Sequence, residues 1–312
     1  MVKAVLLCPG QGAQKVGMGQ DLALAFVEAR DVFEVVDQAL GVPLTTIMWN
    51  GPDAELTLTH NAQPAILAHS IAAFAVLRSA IDPVLGAGHS LGEYSAYVAA
   101  GSLDLADAAR LVRRRGELML AAGRARPGTM AAVLGLETGS VIAGCAEASS
   151  PGEVVVAANV NAPDQTVISG DPAAVERATR ILKEAGAKRV LPLNVSGAFH
   201  SPLMEPAQHE LIEELARVTI RDPAFPVIAN ATAEPVRGGE DARAGLGAQL
   251  TAPVRWVASM ERAVAEVGTD ANFVEIGPGT VLSGLLRRVD RDACAVAVGT
   301  VEQVNSFLEQ HG

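Results

Sequence analysis

The chain has 312 residues, a length that fits either one large domain or a main body carrying a smaller insertion. Apolar residues make up 49% of it and charged residues 19%, which is typical of a folded globular protein and excludes a disordered chain. The formal charge of −11 argues against a nucleic-acid surface, so any anionic partner must meet a local basic patch.

The cysteines and the N-terminus predict a cytoplasmic protein without membrane contact. Three scattered cysteines, at positions 8, 145 and 294, have no metal-type or redox-type spacing, and we expect them to be reduced thiols. The start MVKAVLLCPGQG is too short for a secretory signal. The longest apolar helix candidate, residues 65–77, falls short of the roughly 20 residues that cross a bilayer.

The first part of the chain alternates short apolar strands with helices. The predicted strands are 2–8 and 84–87, and the predicted helices are 21–40, 59–80 and a segment that follows Gly92 and stops at Gly101. Asp104 is expected to cap a further helix. The stretch GRARPG at 123–128 breaks the pattern, and a new unit is expected to start there.

Residues 129–195 show strand, helix, strand, strand, helix, strand, which is the ferredoxin-like order. The remainder returns to helix and strand alternation, with predicted helices at 206–218, 254–267 and 281–289 and predicted strands at 226–231 and 273–277. This alternation predicts an α/β fold with a mostly parallel sheet covered by helices on both faces.

The stretch GHSLG at residues 88–92 places Ser90 between two glycines, after a predicted strand and before a predicted helix. This is the nucleophile-elbow pattern, and its alternative is an ordinary loop serine. A helix that begins after Ser90 would aim its free N–H groups at an oxyanion, so the backbone N–H of Leu91 is the first candidate donor. The loop PGQGAQ at 9–14 opens at the same edge of the sheet and places Gln11 there as the second.

A serine nucleophile needs a base, and His200 fits best among the six histidines. It lies in SGAFHSPLM, a loop that follows a strand and precedes a proline-started helix. His89 is expected to point away from Ser90 and make a structural hydrogen bond, and His69 is expected in the core. Since no aspartate stands out as a partner of His200, a backbone carbonyl can accept its Nδ1 proton.

Arginines 113–115 point in three directions on one predicted helix, so at most two face the same site. Arg113 and Arg114 fit a solvated face. Arg115 precedes Gly116, whose missing side chain leaves space, and a guanidinium in a cleft would bind a carboxylate through two hydrogen bonds. A serine nucleophile beside a carboxylate receptor suggests an acyl group that is itself an acid.

Seven motifs occur in one order over nearly the whole chain: PGQGAQ, GHSLGEYSA, RRRGELM, NAPDQTVISG, GAFHSPLM, QLTAPVRW and EIGPG. In this order and spacing the chain resembles malonyl-CoA:acyl carrier protein transacylases and the acyltransferase domains of polyketide synthases. The resemblance implies an α/β-hydrolase-like subdomain at 1–125 and 197–312, a ferredoxin-like subdomain at 126–196, and an active site in the cleft between them.

The resemblance also implies roles for individual residues. Ser90 would carry the acyl group, His200 would be the base, Arg115 would bind the malonyl carboxylate, and Gln11 with the Leu91 backbone N–H would form the oxyanion site. Gln249, in QLTAPVRW, matches the residue whose main-chain carbonyl orients the histidine. The implied reaction is a ping-pong transfer from malonyl-CoA to acyl carrier protein by a monomer that needs no cofactor or metal.

Phe199 bears on the choice of acyl group. In related polyketide domains a tetrad ending Ala-Phe-His accompanies malonyl and one ending Ala-Ser-His accompanies methylmalonyl. Residues 197–200 match the first tetrad at three positions, and Gly197 departs from it. The ring should crowd an α-methyl group, which predicts a preference for malonyl rather than absolute exclusion of methylmalonyl.

Alternatives remain for the partner and for the reaction. Four basic pairs could dock the acidic carrier protein: Arg113 and Arg114, Arg124 and Arg126, Lys188 and Arg189, and Arg287 and Arg288. A discrete acyltransferase that serves a polyketide synthase in trans would use the same site residues. A serine esterase would share the elbow, but its histidine is expected near the C-terminus and Arg115 would be unexplained.

Overall fold

The computed structural model describes residues 1–268 and 271–311. The strands of the larger of its two sheets are β1 (Val2–Cys8), β2 (Ile81–Gly88), β7 (Val227–Ile228), β8 (Pro235–Val236), β9 (Asn272–Ile276) and β10 (Ala295–Val298). Their order in the sheet is β10-β9-β1-β2-β7-β8, and the pairs are parallel except β7 with β8.

Helices cover both faces of this sheet. They are α1 (Gln20–Ala25), α2 (Val27–Leu40), α3 (Leu44–Asn50), α4 (Asp53–Thr57), α5 (Thr59–Leu77), α6 (Leu91–Ala99), α7 (Leu105–Ala125), α10 (Glu205–Arg217), α11 (Gly239–Ala248), α12 (Trp256–Val267), α13 (Val281–Val289) and α14 (Val301–His311), with a 3-10 turn at Pro202–Met204. In β1, Leu6 packs into the apolar cluster that contains α5 and α6, and Leu7 packs into the cluster that contains α12 and α13. A strand buried on both faces explains the continuous apolar run.

The smaller sheet and its two helices share an apolar core of their own. The elements are β3 (Thr129–Leu134), α8 (Thr138–Ala148), β4 (Val155–Ala162), β5 (Gln165–Gly170), α9 (Pro172–Glu184) and β6 (Arg189–Pro192). The sheet is antiparallel, with the order β4-β5-β3-β6. The predicted α/β fold with a ferredoxin-like insertion is confirmed. The exact division at residues 126 and 196 stays a prediction.

Some predicted elements differ from the observed ones. The predicted helix 21–40 is two helices, because Phe26 adopts an extended conformation between α1 and α2. The predicted helix 59–80 ends at Leu77, since the chain turns to enter β2. The sequence did not predict α3, α4, α11, α14, β8 and β10. Among them α11 contains glycines, which are poor helix formers, and it is held by burial of Ala242 and Leu246.

Asp104 caps α7 as expected, because its carboxylate accepts the backbone N–H groups of Ala106 and Asp107. In the part of the chain that the structure describes, no helix is both long enough and apolar enough to cross a bilayer.

Candidate active site

Ser90 lies between the end of β2 and the start of α6 with φ 51° and ψ −105°. The adjoining glycines allow this turn. A Cβ on Gly88 would lie 1.9 Å from the carbonyl carbon of Gly92, and a Cβ on Gly92 would lie 2.0 Å from the carbonyl oxygen of Cys8. The backbone therefore crosses itself and β1 at distances that only glycine permits, and Ser90 is held at the carboxyl edge of the sheet.

His200 also has a left-handed backbone, with φ 55°, and its ring lies next to Ser90. Its Nε2 is 2.8 Å from the Oγ of Ser90, and its Nδ1 is 3.0 Å from the carbonyl oxygen of Gln249 and 3.2 Å from that of Ala252. Because the carbonyls can only accept, Nδ1 carries the proton and Nε2 is free to accept the serine proton. Gln249 follows the last residue of α11, where helix carbonyls lack partners within the helix.

Burial, together with the charge of Arg115, lowers the pKa of His200 to about 3. The imidazole is therefore neutral at physiological pH, as a general base must be before it takes a proton.

Arg115 is 1% exposed and extends from α7 to the serine. Its Nη2 donates to the Oγ of Ser90 at 3.1 Å and to the Oε1 of Gln249 at 2.9 Å, and its Nη1 donates to the Oε1 of Gln63 at 2.8 Å. Among the described residues its Nε has no hydrogen-bond partner and no carboxylate lies within ion-pair distance. A buried guanidinium supported by amides can still take an incoming carboxylate.

The space beside Gly116 is not part of the cleft. A Cβ at this glycine would lie 2.5 Å from the Cα of His60, so the missing side chain lets α7 pack closely against the start of α5. The expectation that this glycine opens room at the site was wrong. The Arg115 side chain is long enough to contact Ser90 without it.

Six of the seven residues predicted for the site line one cavity of about 350 Å³. They are Gln11, Ser90, Leu91, Arg115, Phe199 and His200, and Gln249 lies directly behind them through its bonds to His200 and Arg115. The smaller sheet adds Asn159 and Asn161 from β4 to the same cavity. The cavity therefore lies between the two sheets.

The backbone N–H groups of Leu91 and Gln11 make no hydrogen bond within the described part of the chain. The loop that carries Gln11 is pressed against the elbow, since a Cβ on Gly10 would lie 2.4 Å from the carbonyl oxygen of His89. Two free donors thus lie at one edge of the cavity, an arrangement suited to a developing oxyanion.

The remaining histidines near the site agree with their predicted structural roles. The Nε2 of His89 is 2.8 Å from the Oδ1 of Asn161, and burial lowers the pKa of this ring. His69 is buried in α5 with its Nε2 2.7 Å from the carbonyl oxygen of Gly299. Neither ring is bonded to Ser90.

Sequence reasoning missed three residues of the site. Gln63 supports Arg115, Asn230 accepts the N–H of Ser90 through its Oδ1 at 2.7 Å, and Glu93 is a buried acid on α6. A signal was present for Gln63 and Glu93, because each is a polar residue inside a largely apolar helix. Asn230 follows the very short strand β7 and had no such signal.

A serine hydroxyl with a neutral imidazole acceptor, two free N–H donors and a buried guanidinium on an α/β frame is the arrangement of an enzyme that transfers acyl groups through a serine. No group of three or more His, Cys, Asp or Glu side chains in residues 1–268 and 271–311 could hold a metal ion.

Comparison with known proteins agrees with this class. The model of the acyl transferase domain family matches residues 5–307, and the chain belongs to this family. A malonyl CoA-acyl carrier protein transacylase of Bacillus subtilis is 44% identical over 310 residues, which cover 99% of this chain and 97% of the relative.

Solved structures agree as well. An acyl carrier protein S-malonyltransferase from Vibrio cholerae superposes with a TM-score of 0.94 at 41% identity, covering 98% of this chain and 100% of that one. A malonyl-transacylase solved with a type II polyketide synthase acyl-carrier protein gives 0.93 at 40% identity, covering 99% and 100%.

Proposed function

We propose that the protein transfers the malonyl group of malonyl-CoA to the phosphopantetheine thiol of an acyl carrier protein, through an ester on Ser90. The transfer takes place in the cytoplasm and supplies fatty acid synthesis. The names of its full-length relatives support this reaction. The single observation that carries it is the buried guanidinium of Arg115, 3.1 Å from the Oγ of Ser90. At that distance the cation can bind a carboxylate whose carbon is only one or two bonds from the ester carbonyl carbon, as in a short diacid.

In the first half-reaction the Oγ of Ser90 attacks the thioester carbon while its proton passes to the Nε2 of His200. The carbonyl oxygen becomes an oxyanion and accepts hydrogen bonds from the N–H groups of Leu91 and Gln11. When the intermediate collapses, the C–S bond breaks and the sulfur of CoA takes the proton from Nε2. The carbonyl of Gln249 keeps the Nδ1 proton in place, so the base is regenerated in the same tautomer.

In the second half-reaction the carrier thiol gives its proton to the Nε2 of His200 and attacks the ester. The C–O bond to Ser90 breaks, and the Oγ takes the proton back. Neither half-reaction consumes a cofactor, and CoA and malonyl carrier protein are the two products. The cycle is therefore ping-pong with a malonyl-enzyme between its halves.

Arg115 and Phe199 set the preference among acyl groups in this proposal. A malonyl carboxylate gains charge-assisted hydrogen bonds that an acetyl group lacks. Phe199 is 6% exposed and lines the cavity beside Ser90, so its ring crowds an α-methyl group. One methyl group is worth about 1 to 3 kcal/mol, which gives a preference over methylmalonyl.

The test is intact-protein mass spectrometry after incubation with malonyl-CoA, with Ser90→Ala as the matched control. A malonyl adduct on the wild type that is absent from the variant, and that disappears when holo carrier protein is added, is the expected result. No adduct on the wild type, or the same adduct on Ser90→Ala, would contradict the proposal. Fast hydrolysis of simple esters without a stable adduct would favour a serine esterase.

The polyketide alternative has one specific observation in its favour, the similarity to a transacylase solved with a polyketide synthase carrier protein. Transfer to fatty-acid and polyketide carrier proteins, measured side by side, separates the two pathways. Faster transfer to the fatty-acid carrier is expected.

For the carrier-binding surface we propose Lys188 and Arg189. Both side chains are exposed, and neither takes part in an ion pair in the described part of the chain. In each other candidate pair at least one arginine is matched with an acid: Arg113 with Glu117, Arg114 with Glu210, Arg126 with Asp171, and Arg288 with Asp164.

Lys188 immediately precedes β6, and Arg189 is its first residue. This strand leads directly to Leu193, Asn194 and Val195 in the cavity wall. Reversal of both charges should slow transfer to the carrier and leave malonyl loading from CoA unchanged. A monomer suffices for this scheme, since one chain supplies every proposed group.

A further inference from the structure

Glu93 is a buried acid with an unusual set of partners. It lies in the first turn of α6, three residues after Ser90, and is 1% exposed. Its Oε2 accepts the backbone N–H of Asn230 at 3.0 Å and the Nε2 of Gln249 at 2.7 Å. Its Oε1 has no hydrogen-bond partner, and the acid forms no ion pair, among the described residues. Burial raises its pKa to about 7.

A buried acid whose partners are neutral donors is costly to keep, so its place next to the elbow calls for a role.

The amide of Gln249 connects Glu93 to the site. Its Nε2 donates to Glu93 and to the carbonyl oxygen of Ser90 at 3.0 Å, and its Oε1 accepts from Arg115 at 2.9 Å. The Oε2 of Glu93 acts only as an acceptor toward this amide, and a guanidinium can only donate. One orientation of the amide therefore satisfies both neighbours, with nitrogen toward Glu93 and oxygen toward Arg115.

The opposite orientation would set the NH2 group of Gln249 against the Nη2 of Arg115, donor against donor. The long Arg115 side chain would then keep Gln63 as its hydrogen-bonded support at Nη1 and lose its support at Nη2. Since Nη2 is also the nitrogen that contacts the Oγ of Ser90, this loss would fall on the end of the guanidinium nearest the acyl group.

We propose that Glu93 is a positioning residue for acyl selectivity, which locks the Gln249 amide so that its oxygen holds Arg115 beside Ser90. The inference rests on the proposed function, because it takes Arg115 as the receptor of the acyl carboxylate. Glu93 touches neither substrate nor the reacting atoms, and it acts through Gln249 and Arg115.

Two substitutions of Glu93 test this role. Glu93→Met keeps a similar volume and removes the acceptor, whereas Glu93→Gln keeps an oxygen that can accept both hydrogen bonds of Oε2. Loading of Ser90 from malonyl-CoA and from acetyl-CoA is measured by intact mass, with far-ultraviolet circular dichroism to verify folding. In Glu93→Met we expect the KM for malonyl-CoA to rise by about tenfold, the effect of one hydrogen bond, with acetyl loading little changed. Glu93→Gln should restore the malonyl KM to near the wild-type value.

A double-mutant cycle provides the second measurement. Gln249→Leu retains the main-chain carbonyl that His200 needs and removes only the amide. Glu93→Met should add little to the malonyl KM in the Gln249→Leu background, because both substitutions remove the same connection.

Equal loss of malonyl and acetyl loading in Glu93→Met, no rescue by Glu93→Gln, or additive effects in the cycle would overturn the positioning role. If Glu93→Met does not fold, the cycle is run with Glu93→Ala, and malonyl loading is again compared with acetyl loading. Failure of the proposed function has a different signature, because the wild type itself would then load malonyl no better than acetyl.

Discussion

The acyl preference should depend on the Arg115 guanidinium. Arg115→Ala removes the only cation that contacts Ser90 among the described residues. Among the described residues Nη1 has one hydrogen-bond acceptor, Nη2 has two and Nε has none, so of five N–H groups three are used. Because Nε is buried, the unused N–H group of Nη1 and the N–H group of Nη2 directed at Ser90 are the two left to bind an acyl carboxylate.

A charge-assisted hydrogen bond contributes about 1.5 to 3 kcal/mol, and two of them partly offset by desolvation of the carboxylate leave about 3 kcal/mol. That energy corresponds to about two orders of magnitude in kcat/KM for malonyl loading. Acetyl loading lacks these bonds and should change by less than about tenfold. Arg115→Lys should fall between, because the ammonium keeps the charge and loses the planar fork.

The assay is formation of the acyl-enzyme from malonyl-CoA and from acetyl-CoA, followed by intact mass, so that carrier binding does not enter. Arg114→Ala is the matched control, since Arg114 is the preceding residue of α7 and its partner Glu210 is on the surface. A malonyl-to-acetyl ratio in Arg115→Ala equal to that of wild type and Arg114→Ala would refute the role of Arg115.

Three further predictions concern pH and the backbone. Because the pKa of His200 is lowered to about 3, its basic form persists in mild acid. The rate of malonyl loading should therefore not fall near pH 6.5, the ordinary pKa of histidine. A rate that falls about tenfold between about pH 6 and 5 in a folded enzyme would contradict this. The pKa of Glu93 is raised from 4.5 to about 7, so the native state holds this proton more tightly than the unfolded state, and stability of about 3 kcal/mol is lost as pH rises through that window. Urea unfolding should therefore show a smaller loss of stability from about pH 5 to 8 in Glu93→Gln than in wild type, and equal losses would be inconsistent with a titrating Glu93. Gly92→Ala should destabilise the protein by about 3 kcal/mol or more, because its Cβ would lie 2.0 Å from a backbone oxygen. The control is Gly284→Ala on α13, where a Cβ would have nothing within 4 Å. In thermal melts the control should be neutral or slightly stabilising.

The amino-acid sequence by itself determined the local features of the site. Ser90 could be placed on an elbow because strand, glycine spacing and helix are adjacent in the chain, and each has a local signature. The ferredoxin-like order of residues 129–195 could also be predicted, since its strands and helices differ in hydrophobic period. Elements with weak periodicity, such as α11 with its glycines, were missed because packing against the rest of the fold holds them.

The tertiary structure decided which distant groups meet Ser90. His200 is 110 positions away and Gln249 is 159 positions away, and no local pattern encodes their contacts. Arginines 113–115 are adjacent in the sequence, and the orientation of α7 against α5 decides which of them is buried. Arg115 is the buried one, while Arg113 and Arg114 pair with surface acids. The connection from Glu93 through Gln249 to Arg115 joins α6, the residue that follows α11, and α7. It therefore exists only once these three helices are packed together.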